Sequence, residues 1–476
     1  MEPSVPLDPM AEPETRGGFW RAVADSLRGV RQDYTQGSIG RAILLLAVPM
    51  VLEMAMESLF GLVDIFFVAH LGPEAAATVA LTEGLLVLVY SLAAGLSMST
   101  AAMVARRIGE KDVAGARTAA VQAIGLGLLL SVPVAVCGSF FARDLLRLMG
   151  GSPALIETGW TYTTVMLAGS ATVFLLFLIN AIFRGAGDPA IAMRSLWLAN
   201  LVNIALVPCL VSGWGPFPEM GITGAAVGTT IGRASGVAYQ VFRLTRDGGH
   251  IRIGAGDVRL ASGVMTRLLR ISGPGMLQYL VGTASWMGLV RIVATFGSAA
   301  LAGYTIALRI IVVALLPSWG LANAAATLVG QKLGAGRPDR AERSVWRAGL
   351  YNMTFLGTVG LLLIAFAGPV IRFFADDPEV IRFGTTCLRT VSFGFLFYAW
   401  GLVLTQAFNG AGDTTTPTLV NLFCFWLIQI PVAWGLAKVA GIGAPGAYRA
   451  IPIAYSALAV VGMLLFRRGR WKERRI

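Results

Sequence analysis

Residues 183–188 read FRGAGD, and residues 408–413 read FNGAGD. The two hexapeptides stand 225 positions apart, and other pairs keep that offset. Pro49 pairs with Pro274, Ala69 with Ala294, Gly72 with Gly297 and Gly109 with Gly334. One offset held from residue 49 to residue 188 leaves no net gap, and chance similarity between Gly/Ala-rich segments does not keep register in that way. Further on, GITGAA at 221–226 is answered by GIGAPGA at 441–447 with a small shift. The chain is an internal duplication.

The repeated unit is apolar. Of the 476 residues, 56% are hydrophobic and 13% are charged, against about 25% charged in soluble domains. Nearly uncharged stretches recur that are long enough to cross a bilayer as helices. Spans are expected at 42–70, 75–105, 118–140, 158–183, 190–213, 222–242, 271–296, 300–331, 348–368, 383–408, 416–437 and 446–466. Strand-like alternation is absent, which argues against a β-barrel. Each half holds an even number of spans, so both insert the same way round, related by an axis along the membrane normal. The expected fold is an all-α polytopic membrane protein with twelve transmembrane helices in two pseudo-symmetric six-helix lobes. Its parts are an N-terminal tail (1–40), an N-lobe (41–245), a linker (246–265), a C-lobe (266–466) and a basic tail (467–476).

The net charge of +12 is a matter of topology. On these spans, 28 of the 38 Lys and Arg fall on the side of the two termini, six on the other side and four within spans. That positive-inside bias puts both termini in the cytoplasm and removes nucleic acid as a partner. The lipid bilayer is the partner instead. The tail 467–476 is expected to touch anionic lipid. Residues 1–40 lack the apolar core of a signal peptide; a short amphipathic stretch from Phe19 to Val30 is expected to lie partly on the membrane. Cys137, Cys209, Cys387 and Cys424 fall within spans without metal-ligand spacing, and His70 and His250 form no cluster. No cofactor is expected, and two packed lobes need no partner subunit, so a monomer is expected.

The GAGD segments end helices four and ten. Glycine supplies a left-handed C-cap there and the following Pro189 or Pro417 blocks continuation. Asp188 and Asp413 are expected to cap the next helix.

Ionisable groups at mid-membrane cost about 2.5–3.5 kcal/mol each on insertion scales and are functional by default. Glu53, Glu57 and Asp64 lie within about 40° of one another around the first helix. They form a stripe too costly to face lipid. Glu83 joins them from the second helix. Such carboxylates suit cycling between protonated and ionised forms. The repeat mates of Glu53, Glu57 and Asp64 are Gln278, Gly282 and Leu289, and the second half carries Arg291, Arg309 and Arg389 instead. Acids and arginines are expected to approach across the cleft when its outer side closes. Two-lobed repeats place the binding site between the lobes near mid-membrane. Asn180, with these arginines and Glu83, is a candidate for cavity lining or gating. Met54, Phe60, Trp286, Tyr398 and Trp400 are candidates to bind flat apolar cations.

VPMVLEMAMESLFGLVDIFFVAHLG (48–72) resembles the first helix of the multidrug and toxic compound extrusion (MATE) family. AMVARRIGEKD (102–112), FRGAGDP (183–189), LVNIALVP (201–208) and GITGAAVGT (221–229) resemble its second, fourth, fifth and sixth helices, so the likeness covers nearly all the chain after residue 40. The resemblance implies a cation-coupled antiporter, driven by H⁺ or Na⁺, that exports drugs or metabolites, organic cations above all. It places a cation site at Asp64, Asn203 and Thr229, with Glu57 and Glu53 beside it, and points to the DinF-like branch whose ion site lies in the N-lobe. One turn after Asn203, where many members carry a second Asp or Asn, this chain has Val207. That favours H⁺, although Glu57 leaves Na⁺ at Asp64 open. A lipid or lipid-linked saccharide flippase of the same superfamily is the competing reading. The major-facilitator loop signature is missing at RRIGEKD, and no HExxH or GxSxG occurs, which argues against an enzyme.

Overall fold

The computed structural model describes residues 16–30, 32–69, 71–246, 249–474 and 476; the side chains of 16, 17, 58–66, 69 and 255 also lie outside the described set. A short amphipathic helix, α1 (Arg16–Arg28), precedes the first lobe. The N-lobe comprises α2 (Ile39–Ala69), α3 (Pro73–Gly109), α4 (Val113–Leu148), the pair α5 (Pro153–Ala168) and α6 (Ser170–Ala186), α7 (Pro189–Ser212) and α8 (Gly221–Thr245). The C-lobe repeats the order with α9 (Ser262–Ala294), α10 (Ser298–Gly334), α11 (Pro338–Arg372), the pair α12 (Pro378–Ser392) and α13 (Phe395–Gly410), then α14 (Thr415–Asn421) and α15 (Ile430–Trp434), and finally α16 (Ala444–Arg467).

Among the described residues, ten helices are long and apolar enough to cross a membrane, and the bent pair α12–α13 makes an eleventh. The twelfth position belongs to α8. It is long enough at 25 residues, but Gly, Thr and Arg233 dilute its apolarity, and it packs against α7 within the lobe. Two departures from the expected spans have local causes. Helices four and ten are broken at Gly169 and Gly394, again 225 apart, and the second break bends by 55°. Helix eleven loosens into π-helical turns at Leu422–Gln429 and Gly435–Val439, flanking Pro431, which has no N–H for the ladder.

The duplication is exact down to backbone conformation at the helix starts. Gly72 and Gly297, the residues before α3 and α10, both have φ 104°, a region closed to most side chains. Gly187 (φ 91°) and Gly412 (φ 83°) end the GAGD turns in the left-handed region, as expected.

The lobes share their first helices. The first half of α2 (Ile39, Ala42, Ile43, Leu46, Met50) packs into the C-lobe core. The first half of α9 (Leu268, Ile271) packs into the N-lobe core. Glycines permit the crossing: a Cβ on Gly320 would stand 2.6 Å from the Val51 nitrogen, and one on Gly95 2.6 Å from the Met276 nitrogen. These two contacts are themselves repeat mates. Ser99 and Ser272 bond across the same crossing at 2.7 Å. The Thr327 hydroxyl and the Gln331 amide donate to the carbonyls of Arg184 and Gly185, at 3.2 and 3.0 Å. The lobes are thus closed together at the end that carries the termini, the linker and most Lys and Arg, called the basic end below.

Three segments at this end dock on protein. First, α1 docks on protein: Ala22 and Ser26 are buried, and Arg194 donates to the Leu27 carbonyl at 2.6 Å, while Phe19 and Trp20 stay exposed. Second, the linker is tied to the N-lobe. His250 is held by Asp188, its backbone N–H donating at 2.6 Å and its ring Nδ1 lying 2.8 Å from the other carboxylate oxygen, and Ile251 is buried. Asp188 therefore holds the linker rather than capping α7. Third, the tail packs on protein. Trp471 is buried and stacks on Phe466, Lys472 pairs with Glu342 at 2.6 Å, and Arg474 pairs with Asp413 at 3.2 Å. Arg106 of the N-lobe donates to the Arg474 carbonyl, and Ile476 packs against the N-lobe core. The segment after each lobe thus returns to that lobe's GAGD aspartate. Asp413 does in addition accept from the Thr416 N–H at 3.3 Å.

Candidate functional site

The acidic stripe on α2 meets cations that the sequence reading left in loops or spans. Glu53 is 1% exposed, and its Oε1 lies 3.0 Å from Arg184 Nη1. Arg184 also donates to Ser97 at 3.3 Å. A buried carboxylate left without its partner is strongly unfavourable, so this pair fixes α2 against α6. Arg184 is the arginine of FRGAGD. The repeat offers a signal that was there to be read: in the second half Glu53 becomes Gln278 and Arg184 becomes Asn409, both charges vanishing together. Glu57, one turn further along α2, is exposed, and Arg233 of α8 and Arg184 act on it electrostatically. Arg233 donates to the Tyr90 hydroxyl at 3.0 Å. Glu83 is exposed on α3 and shares this neighbourhood with Tyr90 and, from the C-lobe, Tyr279.

Asn203 of α7 and Thr229 of α8 come together: both are buried, and Asn203 Nδ2 donates to Thr229 Oγ1 at 3.1 Å. Val207, one turn on, is fully buried against Gly228. The side chain of Asp64 lies outside the described residues, as does that of Phe60. Asn180 belongs to a different set. Its Oδ1 accepts from Gln240 at 2.5 Å and Ser195 at 3.2 Å, a network among α6, α7 and α8.

A cavity of about 270 Å³ lies in the C-lobe wall of the cleft. Tyr279, Trp286, Trp319, Tyr398, Phe425 and Tyr455 supply its rings, Gln278, Gln406, Asn421 and Gln429 its amides, and Tyr279 links it to the neighbourhood of Glu57 and Glu83. Tyr398 accepts from the Trp319 indole N–H at 3.2 Å. Trp286 and Tyr398, candidates from the sequence, both line this cavity. Trp400 does not: it packs on Trp346 and donates to the Met353 sulfur, facing α11. No charged side chain lines this cavity. Arg291, Arg309 and Arg389 are exposed elsewhere on the C-lobe, Arg389 donating to the Ile364 carbonyl at 3.2 Å. The C-lobe is therefore basic at its surface and neutral at its cavity. A second cavity, about 550 Å³, lies at the basic end between the 32–36 segment, His250 and the ends of α3 and α10. Among the described residues no cluster of His, Cys, Asp and Glu could hold a metal ion.

Two six-helix lobes joined by shared first helices, with a buried polar pair in one and an aromatic cavity in the other, define a polytopic membrane transporter. The MatE family model matches residues 49–209 and 274–434, two segments at the same 225-residue offset. The chain belongs to the MATE family and is a transporter, not an enzyme. It is 26% identical over 442 residues to the probable multidrug resistance protein NorM of Thermotoga maritima, covering 92% of this chain and 94% of that one. It is 24% identical over 438 residues to the FAD transporter of Shewanella oneidensis (92% and 96% covered). Among solved structures, the outward-facing conformation of a multidrug resistance MATE family transporter superposes with a TM-score of 0.87 at 26% identity, covering 94% of this chain and 99% of that one.

Proposed function

We propose that this protein is a cation-coupled antiporter, driven by H⁺ rather than Na⁺, that exports drug-like compounds, organic cations among them, by alternating access. The observation that carries the reading is the buried Asn203–Thr229 hydrogen bond one helix away from the acidic stripe on α2. A polar pair in a lobe core beside membrane carboxylates is the arrangement an ion-coupling site needs. Three features support H⁺. Na⁺ wants several oxygens, and Val207 removes one position. Glu53 already has the Arg184 counter-charge, and Glu57 faces Arg233. Of the stripe on α2 that leaves Asp64 for the ion, and a lone carboxylate suits a proton.

Closure at the basic end corresponds to an outward-open state if the termini are cytoplasmic, which the distribution of Lys and Arg supports. The protein then works as a monomer in a bacterial inner membrane, with substrates entering between the lobes. The names of the Thermotoga and Shewanella relatives put drugs and FAD within reach. The cavity's small volume favours a drug-sized molecule over a lipid-linked saccharide.

The test is reconstitution in liposomes with a pH gradient or a Na⁺ gradient imposed separately, following a fluorescent organic cation. Transport driven by the pH gradient alone, and lost in Asp64→Asn, is the expected result. Transport that needs Na⁺ would overturn the choice of ion. Failure under both gradients would overturn the antiporter reading.

A further inference from the structure

The cavity of about 550 Å³ at the basic end is built from both lobes. Glu110 and Lys111 line it just after α3, Arg337 just before α11, and the 32–36 segment and His250 close its sides. Lys111 has φ 61° and, among the described residues, is the one residue other than glycine in the left-handed region. Its repeat mate is Gly336, at φ 68°. The turn asks for glycine; the second half supplies it, and the first half keeps a strained lysine. Strain of that kind clusters at functional positions.

The charges in this wall do not cancel. Glu110 is already paired, its Oε2 lying 2.8 Å from Arg107 Nη1. His250 is held on Asp188. Asp33 accepts from the Thr35 N–H at 2.9 Å and the Thr35 hydroxyl at 2.5 Å, and the charges of both Lys111 and Arg337 act on it. Two cations against that one carboxylate leave a positive surplus. Arg337 donates only to a neutral group, the Thr35 carbonyl at 3.2 Å. Among the described residues the Lys111 ammonium has no hydrogen-bond or ion-pair partner, and neither do the side-chain amides of Gln32 and Gln36 in the same wall.

We propose that this cavity binds a small phosphate monoester with a polar body, and that its occupant holds the basic end closed. A phosphate carries oxygens in more than one plane, so it can bridge two cations on different elements. Lysine meets it as a point charge and arginine through its fork. Gln32 and Gln36 suit the hydroxyls or ring nitrogens of the body. The volume accommodates a sugar phosphate or a nucleoside monophosphate. One cation belongs to each lobe, and Gly109 and Gln331 of the closed contact stand in the wall, so the site is complete only when the lobes meet. A ligand of one conformation shifts the population toward it. The proposal rests on the antiporter reading only for its consequence, slower export when the site is filled.

Binding is measured at equilibrium without any gradient, so failure of the coupling experiment leaves it untouched. The full-length protein in phosphatidylcholine nanodiscs is dialysed against AMP and adenosine, and against glucose 6-phosphate and glucose. At least one phosphate is expected to bind about tenfold or more tightly than its phosphate-free parent, as charge-assisted hydrogen bonds give. Lys111→Gly should remove most of that difference. This variant takes the residue of the repeat mate and relieves the strained φ, so it should unfold no earlier on heating, which separates lost binding from lost fold. The bound phosphate should also lower maleimide labelling of Ser272→Cys severalfold, in a background without the native cysteines, because Ser272 is sealed against Ser99 in the closed crossing. The same labelling in nanodiscs that contain phosphatidic acid, with no soluble ester, tells a lipid headgroup from a soluble molecule as the source of the phosphate. No preference for either phosphate over its parent, or a preference that survives in Lys111→Gly, would overturn the site. Labelling that stays the same on binding would overturn the closure.

Discussion

Gly109 and Gly334, 225 positions apart, face each other's helices across the pseudo-twofold axis. A Cβ on Gly109 would lie 1.9 Å from the Gln331 carbonyl oxygen, and one on Gly334 would lie 2.1 Å from the Arg106 carbonyl oxygen. Gln331 and Arg106 are themselves repeat mates. The obstacle in both cases is backbone, which cannot swing aside as a side chain can. The basic end therefore closes only because both positions lack a side chain.

Gly109→Val or Gly334→Val should stop that closure and abolish transport while the protein still inserts. The measurement is labelling by a membrane-impermeant maleimide of Ser272→Cys, in a background without the native cysteines. Ser272 is sealed against Ser99 in the closed crossing, so its labelling should rise severalfold in the valine variants. Unchanged labelling would show that the crossing tolerates the extra atoms.

Glu53→Gln alone should destabilise the N-lobe, because Arg184 loses its partner; breaking a buried pair costs about 3–5 kcal/mol. Glu53→Gln with Arg184→Asn reproduces the neutral Gln278 and Asn409 of the second half. The double variant should regain most of the loss. Thermal unfolding in detergent across the double-mutant cycle reads this directly. If the double variant is as unstable as the sum of the singles, the pair is not a unit.

Thr229→Val removes the acceptor of the Asn203 bond at nearly constant volume and should cost about 1–3 kcal/mol locally. If Asn203 and Thr229 shape the ion site, gradient-driven transport should fall by an order of magnitude or more while substrate binding at equilibrium is retained. Loss of binding in parallel would place the pair in the substrate site instead.

Trp471→Ala should release the tail. Removing a buried Trp costs about 3–5 kcal/mol, and Lys472 and Arg474 would lose the anchor that holds them near Glu342 and Asp413. Trypsin should then cut within 468–474 much faster than in the parent chain. Equal cleavage rates would mean that the ion pairs alone hold the tail.

Much of this architecture is legible in the chain itself. A bilayer admits only segments that satisfy their own backbone, so long uncharged stretches declare helices before any packing is known. A duplication in register then dictates two lobes with the same orientation. The 225-residue offset located the glycines of both helix starts, the facing Gly109 and Gly334, and both GAGD turns, because close backbone approach and positive φ are properties that one residue type records. The acidic stripe on α2 was visible for a similar reason: charge inside a membrane is too costly to be accidental.

Only the tertiary structure decided who meets whom. Periodicity places Glu53 on a face, but the partner that neutralises it comes from the end of α6, at a residue the charge count had assigned to a loop. Linear charge counting made the C-lobe basic, whereas the fold leaves its three arginines outside the cavity and fills the wall with rings and amides. The same holds for the tail and the linker, whose docking on Asp413 and Asp188 no count of charges shows. Sequence distance carries no information about such contacts. They depend on how two lobes rotate about one axis, and that rotation is set by packing across the whole interface.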